Sequence, residues 1–531
     1  MEFNRIQRLF LSFSSGLLLF GGWAGGIWQW LTLVGFVPLL LNEHYFYSHK
    51  DQYKSHRFFF HAFFAFFIWN AFSTWWILNA TWVGAFLAIF FNTLFMSIVA
   101  WAFHVVKRKT SFRLGYMFFI FSWLAFEYLH YNWELSWTWM TLGNAYSEQT
   151  PFIQWYEYTG VLGGSLWTLL VSVLVTVIII EWIIDAYVKR RLIIFIILLL
   201  AIPVSFSLIR YYTFIEEGKE VNVTVIQPNI DPYNDKFSGL TVDEQLNRIL
   251  NLAENEITPT TDYVIGPETA LPQGIWEEDF TVHPHIVLIK DFCKKHHVSF
   301  LLGASTYKMY DHKISPAARP YDNGTSYYET YNTALQIDSL QVQTYHKSQL
   351  VLGVERMPFP KLLGFLEDLA LELGGTSGSL GVQAEPSVFN GKTTVAPAVC
   401  YESIYGEYLS KFISKGAQWI AVITNDGWWK DTPGYKQHLS FSRLRAIELR
   451  KDIARSANTG ISAFINQRGD ITQQTKWWTP VAISQKIKAN NVHTFYSIWG
   501  DYIGRIASFT TILLLIWIIS QYLLKRINPN R

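Results

Sequence analysis

The chain has 531 residues, of which 50% are hydrophobic and only 16% are charged, and its formal net charge is +2. Soluble proteins carry about 25% charged residues, and the deficit here is confined to the stretches before residue 212 and after residue 505. This distribution excludes an ordinary soluble protein and indicates a membrane protein with a soluble insert. The small net charge argues against a nucleic-acid partner, and two cysteines are too few for a disulfide framework.

The first element is the charge-free run Leu9 to Asn42. A single helix of that length would measure about 50 Å, well beyond a hydrocarbon core of about 30 Å. The glycine-rich stretch 21–26 in its middle predicts a break, so that the run forms a hairpin of two short spans. A signal peptide that begins with Arg5 and Arg8 is the competing interpretation, but the spans that follow favour an uncleaved first helix.

Six further apolar stretches give eight predicted spans in total. Their bounds are 57–79, 82–106, 113–130, 161–187, 191–210 and 506–524. With eight spans every basic cluster falls on one face of the membrane, while the loop 131–160 on the other face has no Lys or Arg. Because positive charge stays cytoplasmic, both termini are expected inside. Glu127 lies near the outer end of its span, where a functional role and a simple interfacial position both stay open.

This topology divides the chain into three predicted regions. Residues 1–211 form a membrane domain with seven transmembrane helices, and residues 212–500 form an extracytoplasmic domain. Residues 501–531 form a last transmembrane helix with a basic cytoplasmic tail.

The middle region alternates short strands with amphipathic helices. The predicted strands are 221–228, 262–268, 299–303, 331–337, 341–345, 393–399, 419–424 and 461–466. The predicted helices are 240–257, 286–297 and 438–450. This alternation predicts a layered α/β domain.

Three of the strand-like elements lead into residues suited to acyl transfer, namely Glu268, Lys347 and Cys400. A free cysteine has a pKa of about 8.5 and is mostly protonated at neutral pH. A carboxylate can take that proton, and an ammonium can stabilise the thiolate and the oxyanion formed on attack at a carbonyl. A papain-like pairing of Cys400 with His346 or His438 is an alternative. Each of the three groups can also be purely structural: a core cysteine, a solvated lysine and a surface cap.

The motifs around these residues resemble those of the nitrilase superfamily. They are Gly266–Pro272, Tyr345–Lys347 and Val399–Glu402. Their flanks resemble one membrane branch of that superfamily, the bacterial apolipoprotein N-acyltransferases. The supporting stretches are Gln227–Ile230, Tyr331–Ala334, Thr424–Trp429, His438 with Arg443–Glu448, Asn458–Ala463 and Gly500–Asp501. The resemblance implies a polytopic helical bundle of eight spans that carries an inserted αββα sandwich.

The resemblance also implies roles for individual residues. Glu268 would be the general base, Lys347 the oxyanion stabiliser and Cys400 the nucleophile. Three further positions match residues that support this triad in the family: Glu355, Tyr401 and Glu402. The implied reaction is ping-pong: Cys400 takes an acyl chain from a membrane phospholipid, and the α-amino group of a diacylglyceryl-cysteine lipoprotein then accepts it. No cofactor is implied, and no set of residues has zinc-ligand spacing.

Some positions depart from the family pattern. Gly266 stands where the family usually has Trp, and Gly353–Arg356 stands where it usually has Phe-Gly-Glu-Tyr. Phe237 replaces the Trp of a usual Lys-Trp pair. These departures concern lipid contacts and loop packing more than the triad.

The stretch 357–373 begins at a proline-bounded segment and has apolar residues at helical spacing. We predict a lid that dips into the outer leaflet and admits acyl chains. The lid candidates are Met357, Leu362, Phe365 and Leu366. An ordinary amphipathic helix packed on the domain is the alternative.

Two other functions stay open at this point. A membrane-tethered nitrilase-type amidase would use the same triad and pass the acyl group to water. A transporter or sensor would need charged residues buried in several spans, and few occur besides Glu127, Glu181 and Asp185 near span ends. We expect a monomer in the bacterial inner membrane, with phospholipid as acyl donor and diacylated apolipoproteins as acceptors.

Overall fold

The computed structural model describes residues 2–356 and 379–527. The chain divides into two compact units. One consists of Met1–Trp75, Val83–Thr213 and Trp499–Arg531, and the other of Trp76–Trp82 and Phe214–Ile498. The lid candidates Met357, Leu362, Phe365 and Leu366 lie outside the described residues.

The first unit begins with two helical segments separated by a sharp break. Helix α1 (Arg5–Ala24) ends at Gly25, and a 3-10 helix (Gly26–Val34) leads into α2 (Val37–Ser48). Gly25 and Gly26 have φ of 83° and 58°, a conformation that glycine adopts at little cost. The break therefore lies within the predicted glycine-rich stretch.

The two segments run back along each other. Ser15 Oγ donates to the carbonyl oxygen of Gly35 at 2.5 Å, and Asn42 Nδ2 donates to that of Arg8 at 3.1 Å. Residues early in α1 thus meet residues late in α2, as in the predicted hairpin.

The rest of this unit is mainly helical. Its helices are α3 (His56–Thr74), α4 (Trp82–Lys109), α5 (Phe112–Asn132), α6 (Tyr156–Asp185), α7 (Arg190–Thr213) and the C-terminal helix (Tyr502–Ile527). Among the described residues, five helical stretches are long and apolar enough to cross a membrane. They are His56–Asn79, Trp82–Lys109, Tyr156–Asp185, Arg190–Thr213 and Tyr502–Gln521. The count of eight spans, which adds both hairpin arms and α5, stays a prediction.

A buried ion pair joins α2 to α4. Lys107 Nζ donates to one carboxylate oxygen of Glu43 at 2.5 Å, and His104 Nδ1 lies 2.7 Å from the other. All three side chains are fully buried, so each charge depends on its partner for stability. This pair was not predicted from the sequence, because Glu43 and Lys107 lie just beyond the predicted span bounds.

Glu127 connects α5 to the loop that follows it. Its Oε1 accepts hydrogen bonds from Leu142 N at 2.9 Å and from Trp123 Nε1 at 3.0 Å. The carboxylate is buried and fixes the 3-10 turn Leu142–Tyr146. These contacts give Glu127 a structural role.

Among its described residues the second unit has two sheets and five helices. The strands, in chain order, are β1 (Lys219–Gln227), β2 (Tyr263–Ile265), β3 (Leu271–Trp276), β4 (Ser299–Tyr310), β5 (Arg319–Tyr321), β6 (Ser326–Ile337), β7 (Val342–His346), β8 (Val395–Val399), β9 (Trp419–Thr424), β10 (Ile453–Ala457), β11 (Ala463–Ile465), β12 (Ile471–Gln474) and β13 (Val481–Ala489). The helices are α8 (Val242–Glu256), α9 (Pro284–His296), α10 (Gly406–Ser414), α11 (Pro433–Leu449) and α12 (Phe495–Trp499).

The strands form one eight-stranded and one five-stranded sheet. The first follows the order β13-β1-β2-β4-β6-β5, with β3 beside β4 and β7 beside β6, and the second follows β12-β11-β10-β9-β8. Strands β1, β2 and β4 are parallel, and β7 runs in the same direction because it is antiparallel to β6, which is antiparallel to β4. The carboxyl ends of β2 and β7 therefore point the same way.

The two sheets face each other and carry helices on their outer faces. Leu246 of α8 and Ile289 of α9 share one buried cluster with Val264 of β2. On the opposite face of β2, Tyr263 donates from its hydroxyl to the carbonyl oxygen of Thr393 at 2.9 Å, just before β8. Helices α10 and α11 pack on the second sheet. The result is the predicted αββα sandwich.

Candidate active site

Glu268 lies three residues beyond the end of β2 and is almost completely buried. Its loop packs tightly on β4, where Gly303 N donates to the carbonyl oxygen of Pro267 at 2.9 Å. A Cβ atom at Gly303 would lie 2.3 Å from the nitrogen of Thr269. Only glycine at position 303 lets the Glu268 loop come this close.

Lys347 directly follows β7 and contacts two carboxylates. Its Nζ donates to Glu268 Oε1 at 3.1 Å and to Glu355 Oε1 at 2.9 Å. Lys347 is 1% exposed, so both ion pairs lie away from bulk solvent. The structure thus brings together three of the residues proposed from the sequence.

Asn332 on β6 completes this cluster. Its Nδ2 donates to Glu268 Oε1 at 2.8 Å and to Glu355 Oε1 at 3.0 Å. In the sequence analysis Asn332 was only part of a supporting motif. Its place next to Lys347 follows from the antiparallel pairing of β6 and β7, in which Lys347 N donates to the carbonyl oxygen of Asn332 at 2.8 Å.

The neighbours of Glu268 keep it ionised. Burial raises the pKa of the carboxyl, but the ammonium of Lys347 and the hydrogen bond from Asn332 outweigh burial, so that the pKa lies below its ordinary value. Burial likewise disfavours the Lys347 ammonium, yet Glu268 and Glu355 hold its pKa well above the ordinary value. Within the described residues Glu268 Oε2 has no hydrogen-bond partner. This leaves one carboxylate oxygen available to accept a proton.

Cys400 directly follows β8 and has an unusual backbone conformation. Its φ is +52°, which a non-glycine residue adopts at a cost that recurs at functional sites. The strain is supported by contacts to its carbonyl oxygen. Ser403 Oγ donates to this oxygen at 2.7 Å, and His438 Nε2 lies 3.2 Å from it.

The surroundings of Cys400 favour the thiol over the thiolate. Burial raises its pKa, and the nearby Glu268 carboxylate raises it further, while the Lys347 ammonium lowers it only in part. A thiol in this state reacts as a nucleophile only when a base removes its proton during attack. Glu268, whose carboxylate is favoured by Lys347 and Asn332, is the candidate for that base.

Glu402 joins the end of β8 to the segment that follows Lys347. One carboxylate oxygen accepts from Val399 N at 2.9 Å, and the other accepts from Ser348 N at 2.7 Å and from the Tyr345 hydroxyl at 2.6 Å. The side chain is fully buried, and burial raises its pKa to about 7. Glu402 therefore holds the residues before Cys400 and after Lys347 together.

Tyr401 takes part in the 3-10 turn that begins at Cys400 (Cys400–Ile404). Its ring is 7% exposed and packs edge-on against Tyr405, with centroids 5.3 Å apart. Tyr401 thus stabilises the turn.

The histidine alternatives have other contacts. His346 Nε2 lies 2.5 Å from Glu277 Oε1, and its ring stacks on Tyr331 at 3.8 Å. His438 Nδ1 lies 2.8 Å from Asp426 Oδ1, and its Nε2 faces the carbonyl oxygen of Cys400. This geometry does not support a papain-like pairing of the thiol with an imidazole.

Asp426 links His438 to a buried cation. Arg455 donates to Asp426 Oδ2 at 2.6 Å, and these three side chains are fully buried. Burial would raise the pKa of Asp426, but Arg455 and His438 lower it to about 2. Arg455 and Asp426 thus hold His438 against the carbonyl oxygen of Cys400, which stabilises the strained backbone there.

Comparison with known protein families covers most of the sequence. Residues 15–174 match the apolipoprotein N-acyltransferase N-terminal domain, and residues 222–494 match the carbon-nitrogen hydrolase family. The chain belongs to the apolipoprotein N-acyltransferase branch of the carbon-nitrogen hydrolase superfamily.

Relatives of this branch align along nearly the full chain. An apolipoprotein N-acyltransferase from Chlorobaculum tepidum is 28% identical and covers 94% of both chains. Apolipoprotein N-acyltransferase 1 from Treponema denticola is 28% identical over 87% of this chain and 89% of its own. Among solved structures, Nit3 of Saccharomyces cerevisiae, a nitrilase superfamily member, aligns with 51% of this chain and 90% of its own at 14% identity and a TM-score of 0.36.

Proposed function

We propose that this acyltransferase moves a fatty acyl chain from a membrane phospholipid to the α-amino group of diacylglyceryl-cysteine apolipoproteins, through a thioester on Cys400. The observation that carries the proposal is the shared site of Glu268, Lys347 and the strained Cys400, in a chain of the N-acyltransferase branch. Glu355 and Glu402 support this arrangement through Lys347 and Val399.

In the first half-reaction Glu268 accepts the thiol proton as the sulfur attacks the ester carbonyl of the phospholipid. The negative charge passes from the carboxylate to the substrate oxygen, where the Lys347 ammonium stabilises it. The ester bond then breaks, and Glu268 returns the proton to the leaving alkoxide. The products are a lysophospholipid and an acyl thioester on Cys400.

In the second half-reaction the α-amino group of the lipoprotein attacks the thioester. Glu268 takes a proton from the attacking amine, and the C–S bond breaks as the amide forms. The proton returns to sulfur, which restores the resting thiol. Amines displace thiolates readily, so this intermediate suits an amine acceptor provided that water is kept away.

We also propose that the catalytic domain, residues 212–500, lies outside the cytoplasm. In the sequence it follows the membrane domain 1–211 and precedes the C-terminal transmembrane helix and basic cytoplasmic tail, 501–531. The segregation of basic clusters supports both termini being cytoplasmic. A position against the outer leaflet would give Cys400 access to phospholipid and to the lipid anchor of the acceptor.

A direct transfer assay tests the proposal. Purified protein is mixed with phospholipid whose acyl chains carry a heavy isotope and with a synthetic diacylated lipopeptide. We expect the heavy chain on the N-terminal amine of the lipopeptide, detected by mass spectrometry. Release of free heavy fatty acid without any N-acylated peptide would instead show the amidase-like hydrolase.

A further inference from the structure

A second buried lysine, Lys236, reaches the active site from the loop between β1 and α8. It is 2% exposed, and its backbone is held on both sides. Lys236 N donates to the carbonyl oxygen of Asp231 at 2.9 Å, and Gln245 Nε2 donates to the carbonyl oxygen of Lys236 at 2.8 Å. The direction of the side chain is therefore built into the loop.

The ammonium of Lys236 contacts the main chain of Glu268, the proposed general base. Nζ donates to the carbonyl oxygen of Glu268 at 3.0 Å. Within the described residues it makes no other hydrogen bond and no ion pair, although a buried ammonium is costly without a carboxylate partner. Burial lowers the pKa of Lys236 to about 8, even though the charges of Glu268 and Cys400 raise it. A pKa of about 8 keeps most of this ammonium charged at neutral pH. Among the described residues no carboxylate contacts it to offset the free energy of burying that charge.

The charge of Lys236 balances an excess negative charge in the site. The carboxylates of Glu268 and Glu355 face one ammonium, that of Lys347, so the cluster without Lys236 carries one excess negative charge. Asp426 is balanced separately by Arg455. With Lys236 the cluster is neutral, and it stays neutral as the proton moves from sulfur to Glu268 and negative charge develops on the substrate.

Other titratable groups near this loop have their own partners or positions. Asp231 accepts hydrogen bonds within the loop from Tyr233 N and Asn234 Nδ2. The carboxyl of Glu402 has a pKa raised to about 7 by burial. Neither of these two groups pairs with Lys236.

We propose that Lys236 is a positioning residue for acyl transfer: its ammonium holds the main chain of Glu268, and its charge favours both the Glu268 carboxylate and the Cys400 thiolate. The proposal rests on the proposed function for its role in acyl transfer. Its effect on Cys400 is independent of that function.

Two variants separate the charge of Lys236 from its hydrogen bond. Lys236→Gln keeps a donor for the Glu268 carbonyl oxygen and removes the charge, whereas Lys236→Met removes both. Because loss of a nearby cation disfavours a carboxylate and a thiolate, we expect both variants to move two profiles to higher pH. One is the acid limb of the transfer rate. The other is the rate of alkylation of Cys400 by iodoacetamide, measured in a Cys293→Ala background. At pH 7 the alkylation rate should fall about 10-fold.

Lys294→Met, which removes an exposed lysine on α9, is the matched control and should leave both profiles unchanged. An unshifted alkylation profile in both Lys236 variants would overturn the proposal. So would recovery of the wild-type profiles in Lys236→Gln, since only the hydrogen bond would then matter. Alkylation requires no acyl transfer, so a shifted alkylation profile in a protein that transfers no acyl chain would support Lys236 while the proposed function failed.

Discussion

Replacement of Cys400 by alanine is expected to lower the rate of lipopeptide N-acylation by about 10,000-fold or more, as loss of a covalent nucleophile does in other enzymes. Cys400 follows the end of β8 with a strained backbone. Its thiol lies near Glu268 and Lys347. Alanine removes the sulfur, and it adopts a positive φ about as readily as cysteine does, so the fold should be kept. The assay is the transfer of isotope-labelled acyl chains in membranes that contain equal amounts of each variant.

Cys293→Ala is the matched control for this substitution. Cys293 is the other cysteine of the chain; it is buried on α9, and its thiol donates to the carbonyl oxygen of Ile337 at 3.4 Å. We expect this variant to keep activity within about 3-fold, because only a weak hydrogen bond is lost. If Cys400→Ala transferred acyl chains as fast as Cys293→Ala, Cys400 would not be the nucleophile.

Glu268→Gln is expected to lower the transfer rate by about 1,000-fold, within the range found for removal of a general base. The amide oxygen of glutamine can still accept from Lys347 and Asn332 in place of Glu268 Oε1. What the variant lacks is an acceptor for the thiol proton, and the raised pKa of Cys400 makes that acceptor necessary. The wild-type rate should be retained at mildly acidic pH, because the pKa of Glu268 lies below its ordinary value.

Glu277→Gln offers a comparison at another largely buried carboxylate. Glu277 pairs with His346 and not with Lys347, so its loss should leave the rate per folded molecule nearly unchanged. Thermal unfolding in detergent measures how much of each variant is folded. Equal rates for Glu268→Gln and Glu277→Gln, corrected in this way, would rule out Glu268 as the base.

The sequence predicted the strands that lead to the candidate site residues because these strands are short, apolar and end in chemically distinctive side chains. The predicted strand 393–399 corresponds to β8 (Val395–Val399), and the predicted helix 286–297 to α9 (Pro284–His296). Strand β13 was missed. Its stretch Ser484–Lys486 is polar and shows no apolar run, and its place follows only from antiparallel pairing with β1, more than 250 residues earlier.

Buried charges were the other feature that sequence could not predict. Lys and Arg are usually surface residues, yet Lys236 and Arg455 are each buried against a partner that is distant in the chain. Burial of a charge depends on a tertiary partner. The hydrophobic periodicity of the sequence is a local signal and does not identify that partner. Glu43 and Lys107 show the same limit in the first unit.

The most direct test of the central claim is the intact mass of the protein after incubation with phospholipid alone. With no acceptor present the second half-reaction cannot proceed, so the thioester should accumulate. We expect the mass of one acyl chain on the peptide that contains Cys400, sensitive to hydroxylamine and removed by addition of a diacylated lipopeptide, which becomes N-acylated. An unmodified Cys400 in a preparation that nonetheless N-acylates lipopeptide would contradict the thioester mechanism.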